Sequence, residues 1–210
     1  MIKVVSFDAD GTLVDKSFMD AFWNIGIPRE YARQKGMTFD EAKEEVEKRY
    51  HEVGERDIRW YTPEYWFDLL GLTTTPRRLM EDYKDHLKVY PEATNVLEEL
   101  VDKYPLVVIS NAPREILAFE LSSLDGYFAH VFSATTDFKE VRKTSQFYSR
   151  VCATLGIKPF ELVHVGDHWD FDYVVPKKLG IKTFFLERTM KKSGANVIHS
   201  LEEFVDKIDG

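Results

Sequence analysis

Residues 2–14 read Ile2-Lys3-Val4-Val5-Ser6-Phe7-Asp8-Ala9-Asp10-Gly11-Thr12-Leu13-Val14. The first half is a short apolar run of the kind that fills the interior of a parallel sheet, and it stops at two carboxylates. In open α/β sheets ligands bind at the carboxyl ends of the strands, so Asp8 and Asp10 are aimed at a site. Carboxylates this close raise each other's pKa unless a cation or a shared proton compensates them. A divalent metal would resolve that conflict and still leave one oxygen free to attack. Gly11 permits a tight turn that most residues resist, and Thr12 supplies a hydroxyl able to donate to an anion. Together these residue types point to phosphate chemistry. An acidic turn or a fragment of a calcium loop would share the Asp-x-Asp-Gly pattern. Against calcium, the twelfth loop position, which needs a bidentate Glu, is Met19, and no helical pattern precedes the loop.

Outward from this junction, apolar strands are expected near residues 2–7, 106–110, 128–133, 161–166 and 181–186, alternating with helical patterns. That alternation predicts an α/β fold with a three-layer, doubly wound parallel sheet. The helix expected near 92–103 carries Val96, Leu97, Leu100 and Val101 on one face. The helix near 145–155 repeats the pattern and ends at Gly156, a favoured stop. Ser200 and Glu203 form a capping-box pattern for a last short helix. Polar residues collect where strands end: Asp8, Asp10, Ser110, Asn111 and Asp167.

Residues 16–89 break the rhythm. They contain no convincing strand and read as short helices, one opened by a capping box at Thr38 and Glu41, others by Thr62-Pro63 and Thr75-Pro76. The segment is rich in aromatics, including Phe22, Trp23, Trp60, Tyr61, Trp66 and Phe67. A substrate pocket and the core of a small bundle share that composition, and the bundle core is the favoured reading. Arg77 and Arg78 could meet a second anionic group of a substrate or simply start a solvated helix. The basic run Arg188 to Lys192 is expected to be exposed.

In order along the chain, the Asp8-to-Thr12 motif, Ser110-Asn111 after the strand Leu106-Val107-Val108-Ile109, Lys143 just before a helix, and Gly166-Asp167-His168-Trp169-Asp170-Phe171-Asp172 after Leu162-Val163-His164-Val165 resemble the haloacid dehalogenase-like hydrolase superfamily over the whole chain. One departure is Thr144, where many members carry proline. The resemblance implies a Rossmann-like catalytic core from residues 1–15 and 90–210, and a helical cap at 16–89 hinged near Asp15–Lys16 and Val89–Pro91. It implies Asp8 as nucleophile, Asp10 as general acid and then base, and Lys143 as the neutralising cation. Thr12, Ser110 and Asn111 would bind the transferring phosphoryl group. It further implies Mg2+ held by the Asp8 and Asp167 carboxylates and the Asp10 backbone carbonyl. Asp172 would hold a metal-bound water or Lys143, with Asp170 the lesser candidate. Covalent catalysis independently suits phosphoryl transfer by splitting it into two easier steps, and hard oxygen ligands suit magnesium. His164 reads as a buried strand residue and His168 as a loop residue near the metal.

The expected activity is hydrolysis of a small phosphorylated metabolite. A 2-haloacid dehalogenase would use the same nucleophile but typically lacks the second carboxylate, so Asp10 favours phosphate. A phosphomutase would share every motif, and a non-catalytic phosphate-binding protein would waste a full catalytic set. A response-regulator receiver also gathers acids, a hydroxyl and a lysine, but carries its phosphoacceptor on a middle strand without a helical insertion. In 210 residues with a net charge of −8, nucleic acid is not the expected partner, since backbone binding relies on a basic surface. No apolar run is long enough for a membrane span, and Met1 leads into a strand pattern and not a signal peptide, so a cytoplasmic protein is expected. Cys152, the lone cysteine, falls among helical core positions with Phe147, Val151 and Leu155. Oligomeric state and the particular substrate are not written in these patterns.

Overall fold

The computed structural model describes residues 1–208. Six parallel strands form one sheet: β1 (Val4–Phe7), β2 (Leu106–Ser110), β3 (Phe128–Ser133), β4 (Leu162–Gly166), β5 (Lys182–Leu186) and β6 (Val197–Ile198), in the spatial order β3-β2-β1-β4-β5-β6. The order reverses beside β1, which pairs with β2 through Val5 and Leu106 and with β4 through Val5 and Val163. This is the doubly wound arrangement the alternating pattern predicts, and its switch point falls where the Asp8 motif begins. β6 is the one strand not anticipated, because two residues carry no periodicity that could distinguish them from loop.

Alternation along each strand sends side chains to opposite faces of the sheet. On one face Val4, Val107, Ile109 and Leu162 pack with Phe147, Tyr148, Val151 and Cys152 of the helix Ser145–Leu155. That helix is capped by Thr144, whose Oγ1 accepts from the Phe147 amide, and it stops at Gly156 in the left-handed conformation. On the other face the Phe204 ring, from the helix Leu201–Ile208, meets Phe7 at 5.7 Å and Phe184 at 5.4 Å between centroids. Cys152 is buried, and burial pushes its thiol up to about 11, so it packs as a small hydrophobe and stays protonated at neutral pH.

The chain forms two compact units: Met1–Asp15 together with the chain from Val89 onward, and Lys16–Lys88. The second unit is helical, with its longest helix at Phe39–Val53 opened by the Thr38–Glu41 capping box. Its aromatics make a core: Trp66 is fully buried, meets Tyr50 edge to face at 4.6 Å, and donates its ring N–H to the Trp60 carbonyl at 3.1 Å. Phe22 stacks with Phe18 and Phe67 in the same cluster. Thr75 caps its helix through the Arg78 amide, whereas the Thr62 hydroxyl turns back to the Ile58 carbonyl. Arg77 and Arg78 pair along their own helix with Glu81 and Asp82. No helix among the described residues is long and apolar enough to cross a membrane.

Candidate active site

The site grows from the end of β1. The Asp8 amide donates to the Val165 carbonyl at 2.9 Å, which extends the β1–β4 ladder one residue and fixes the direction of the Asp8 side chain. The chain then turns sharply, because the amides of Thr12, Leu13 and Val14 all reach the Ala9 carbonyl and Gly11 takes a φ of +79°. Only glycine adopts that backbone without strain. The turn leaves Asp8 and Thr12 buried.

Lys143 arrives from far along the sequence and is buried to 2% exposure. Its ammonium donates to Asp8 Oδ1 at 2.5 Å and to the Ile109 carbonyl at 3.2 Å, and pairs with Asp172 Oδ1, which uses all three of its hydrogens. Burial alone would lower the Lys143 pKa, but Asp172 and Asp8 outweigh it and raise the value, so the ammonium is held charged. Asp172 sits below the ordinary carboxylate range despite its burial, because of Lys143 and His164. For Asp8, burial dominates and, with the Asp172 and Asp167 charges, pushes the carboxyl well up against the pull of Lys143.

Asp172 has further support. It accepts from the His168 amide at 3.0 Å, and its Oδ1 lies 3.1 Å from His164 Nε2. Burial lowers the His164 pKa and keeps the ring neutral. With Asp172 ionised, the ring proton sits on Nε2 and Ser6 Oγ lies 2.8 Å from Nδ1. A π-type turn at Trp169–Val174 carries Asp172 inward and leaves Asp170 exposed. Gly166 makes room for it: a Cβ there would fall 2.6 Å from the Asp172 Cβ and closer still to its carboxyl carbon. Gly166→Ala is therefore expected to displace Asp172 and loosen Lys143, lowering thermal stability by about 1–3 kcal/mol. Thermal unfolding checks this, and a midpoint equal to wild type would show that the carboxylate has room to move.

Asp8, Asp167 and Asp172 each offer a carboxylate oxygen, all within 4.8 Å of one another. Three carboxylates against one ammonium leave the cluster short of positive charge, and an all-oxygen donor set is the kind that magnesium takes. The residues fit a divalent cation. Around them lie groups suited to an anion. The Thr12 hydroxyl is buried without a protein hydrogen-bond partner, and Ser110, at the end of β2, is buried with its Oγ accepting from the Ala112 amide at 3.0 Å, which leaves its own proton to donate.

Two further participants escape the sequence patterns. Glu120, at the end of the helix Arg114–Glu120, is fully buried, and the group its carboxyl meets is that of Asp10. Burial first, then Asp10, raises the Glu120 pKa well above the usual range. Two carboxyl groups in contact need one proton between them. Its signal was the four-residue spacing from Ile116, which puts both on one helix face. The other is Arg188. In place of an exposed basic run, its guanidinium donates to the carbonyls of Gly11 at 3.3 Å and Thr12 at 2.9 Å, because β5 delivers it directly behind the turn. Lys191 and Lys192 are exposed as expected.

A parallel sheet reversing at β1, with a carboxylate pair, a hydroxyl, a buried lysine and an acidic turn gathered at the strand ends, defines a hydrolase core. The haloacid dehalogenase-like hydrolase family matches residues 2–180, and the chain belongs to that family. Among curated proteins it is similar to the GMP/IMP nucleotidase YrfG of Escherichia coli, at 27% identity over 79% of this chain and 74% of that one. It is also similar to a phosphoglycolate phosphatase of Aquifex aeolicus, at 26% identity over 87% and 83%. Among solved structures, a HAD phosphatase from Thermococcus onnurineus superposes with a TM-score of 0.83 at 27% identity, covering 100% of this chain and 99% of that one. An L-2-haloacid dehalogenase from Xanthobacter autotrophicus shares the fold, with a TM-score of 0.64 at 21% identity over 100% and 99%.

Proposed function

We propose that the protein is a magnesium-dependent phosphohydrolase that cleaves small phosphomonoesters through a phosphorylated Asp8. The observation that carries this reading is the buried Lys143 ammonium held between Asp8 and Asp172, beside a third carboxylate, Asp167. Asp8 Oδ1 is pinned by Lys143, and its other oxygen is the attacking atom. The Lys143 ammonium offers positive charge, and the Thr12 hydroxyl and the Ser110-Asn111 segment offer donors to the equatorial oxygens of the transferring group, the preorganised electrostatics that carry most of the catalysis in phosphoryl transfer. Asp10 protonates the leaving oxygen and then takes a proton from the water that hydrolyses the acyl phosphate. The acid that Asp10 supplies distinguishes this reading from halide displacement, which needs none. Bound magnesium, with Asp8, Asp167 and the Asp10 carbonyl as ligands and Asp172 supporting them, would supply charge neutralisation on the phosphate. Residues 16–89 would act as the cap that selects the substrate.

The names of the relatives span a purine nucleotide and a two-carbon acid phosphate, so the test is a release assay over GMP, IMP, phosphoglycolate, sugar phosphates and p-nitrophenyl phosphate. Phosphate release is expected with magnesium, to be lost in excess chelator, and to return when magnesium is restored. Full turnover in chelator would remove the metal from the mechanism. Halide release from 2-haloacids with no phosphatase activity would replace the reading altogether.

A further inference from the structure

We propose that Arg188 is a positioning residue that sets where Asp10 and Thr12 lie relative to Asp8. The proposal rests on the phosphohydrolase reading above.

Its contacts engage all three nitrogens of the guanidinium. Nε donates to the Gly11 carbonyl at 3.3 Å, Nη2 to the Thr12 carbonyl at 2.9 Å, and Nη1 to Glu92 Oε1 at 2.6 Å. The guanidinium carbon lies 3.5 Å from the centre of the Tyr90 ring. Each of the three nitrogens is engaged and one face of the plane is covered, so this arginine is built as a clasp. What it clasps is specific. Gly11 and Thr12 form the turn that carries Asp10, and Tyr90 and Glu92 begin the segment on which the chain returns to the core. The same two segments are joined by the Tyr90 amide to the Leu13 carbonyl at 2.9 Å and by an antiparallel bridge between Val14 and Val89.

The arginine is itself held. The neighbouring Glu187 amide donates to the Ile198 carbonyl at 2.8 Å, tying the base of the loop to β6. The Glu187 carboxylate collects the Thr189 hydroxyl and the amides of Thr189, Lys191 and Lys192, and these donors, the hydroxyl foremost, hold its pKa down to about 2. The loop therefore presents Arg188 from a fixed base. Lysine is a poor substitute, because its compact ammonium lacks the planar fork that reaches these separated acceptors while lying flat on a ring.

A misplaced turn weakens the proton delivered by Asp10, and that loss depends on the leaving group. A poor alkoxide leaving group needs the proton, whereas p-nitrophenolate leaves with little help. The experiment measures kcat/KM of wild type, Arg188→Lys and Arg188→Met on ethyl phosphate and on p-nitrophenyl phosphate with magnesium, alongside thermal unfolding. The expected result is a loss about tenfold or more greater on the alkyl ester than on the aryl ester. Glu92→Gln weakens the clasp from its other end and should show the same bias to a smaller degree, which keeps the test available if Arg188→Met fails to fold. Equal losses on both esters, or no loss, would overturn the proposal. A wild type inactive on both esters would instead refute the phosphohydrolase reading on which it stands.

Discussion

Asp8→Asn is expected to fold and to be inactive. The substitution keeps the shape of the side chain and removes the attacking oxygen, and loss of a covalent nucleophile typically costs about 10³-fold or more in turnover. Stability moves the other way or hardly at all. Asp8 is a carboxyl that burial and two neighbouring acids already disfavour in its charged form, so a neutral amide removes a strained charge while Lys143 keeps Asp172 as partner. The measurement is steady-state phosphate release beside thermal unfolding. Turnover within tenfold of wild type would exclude Asp8 as the nucleophile, whatever the fold.

Lys143→Met is expected to damage both properties. The lysine is buried with two carboxylates on it, and removing one member of such a cluster leaves uncompensated buried charge, a loss of about 3–5 kcal/mol. For a chain of this length, each kcal/mol moves the midpoint by about 2–4 °C, so a fall of roughly 10 °C is expected without metal. Magnesium should recover part of that loss, because a cation beside Asp8 and Asp172 replaces some of the missing charge. Activity should not recover with it, since the ammonium that holds Asp8 in place and sets positive charge beside the transferring phosphoryl group is gone. Unchanged stability in chelator would show that the pair contributes little.

The contrast between these two variants also explains which parts of the site were readable from sequence. Asp8, Asp10, Gly11 and Thr12 are contiguous and follow a strand, so their chemistry and their location appear in one line of sequence. Lys143 is 135 residues from Asp8, and nothing local marks a lysine before a helix as buried. Its ion pairs are a product of the sheet order. Asp170 and Asp172 are both acidic and two apart, and which turns inward depends on a π-type turn that composition does not announce. Glu120 reads as an ordinary helix-end glutamate until burial places it on Asp10. Arg188 sits in what looks like a solvated basic run, and its partners, Gly11 and Thr12, are 177 and 176 residues away. The fold was more legible than the site. Strand runs and their helical intervals are local patterns, and only the two-residue β6 lacked one.

The bridge between Val14 and Val89 carries a consequence of another kind. Because the chain leaves the sheet and re-enters it at neighbouring points, everything from Lys16 to Lys88 hangs from the core as a closed loop whose mouth is already sealed. Lengthening, shortening or exchanging such a loop adds little closure entropy and disturbs no strand register. The architecture thus separates two rates of change: the sheet and its acids can stay fixed while the inserted helices are rewritten.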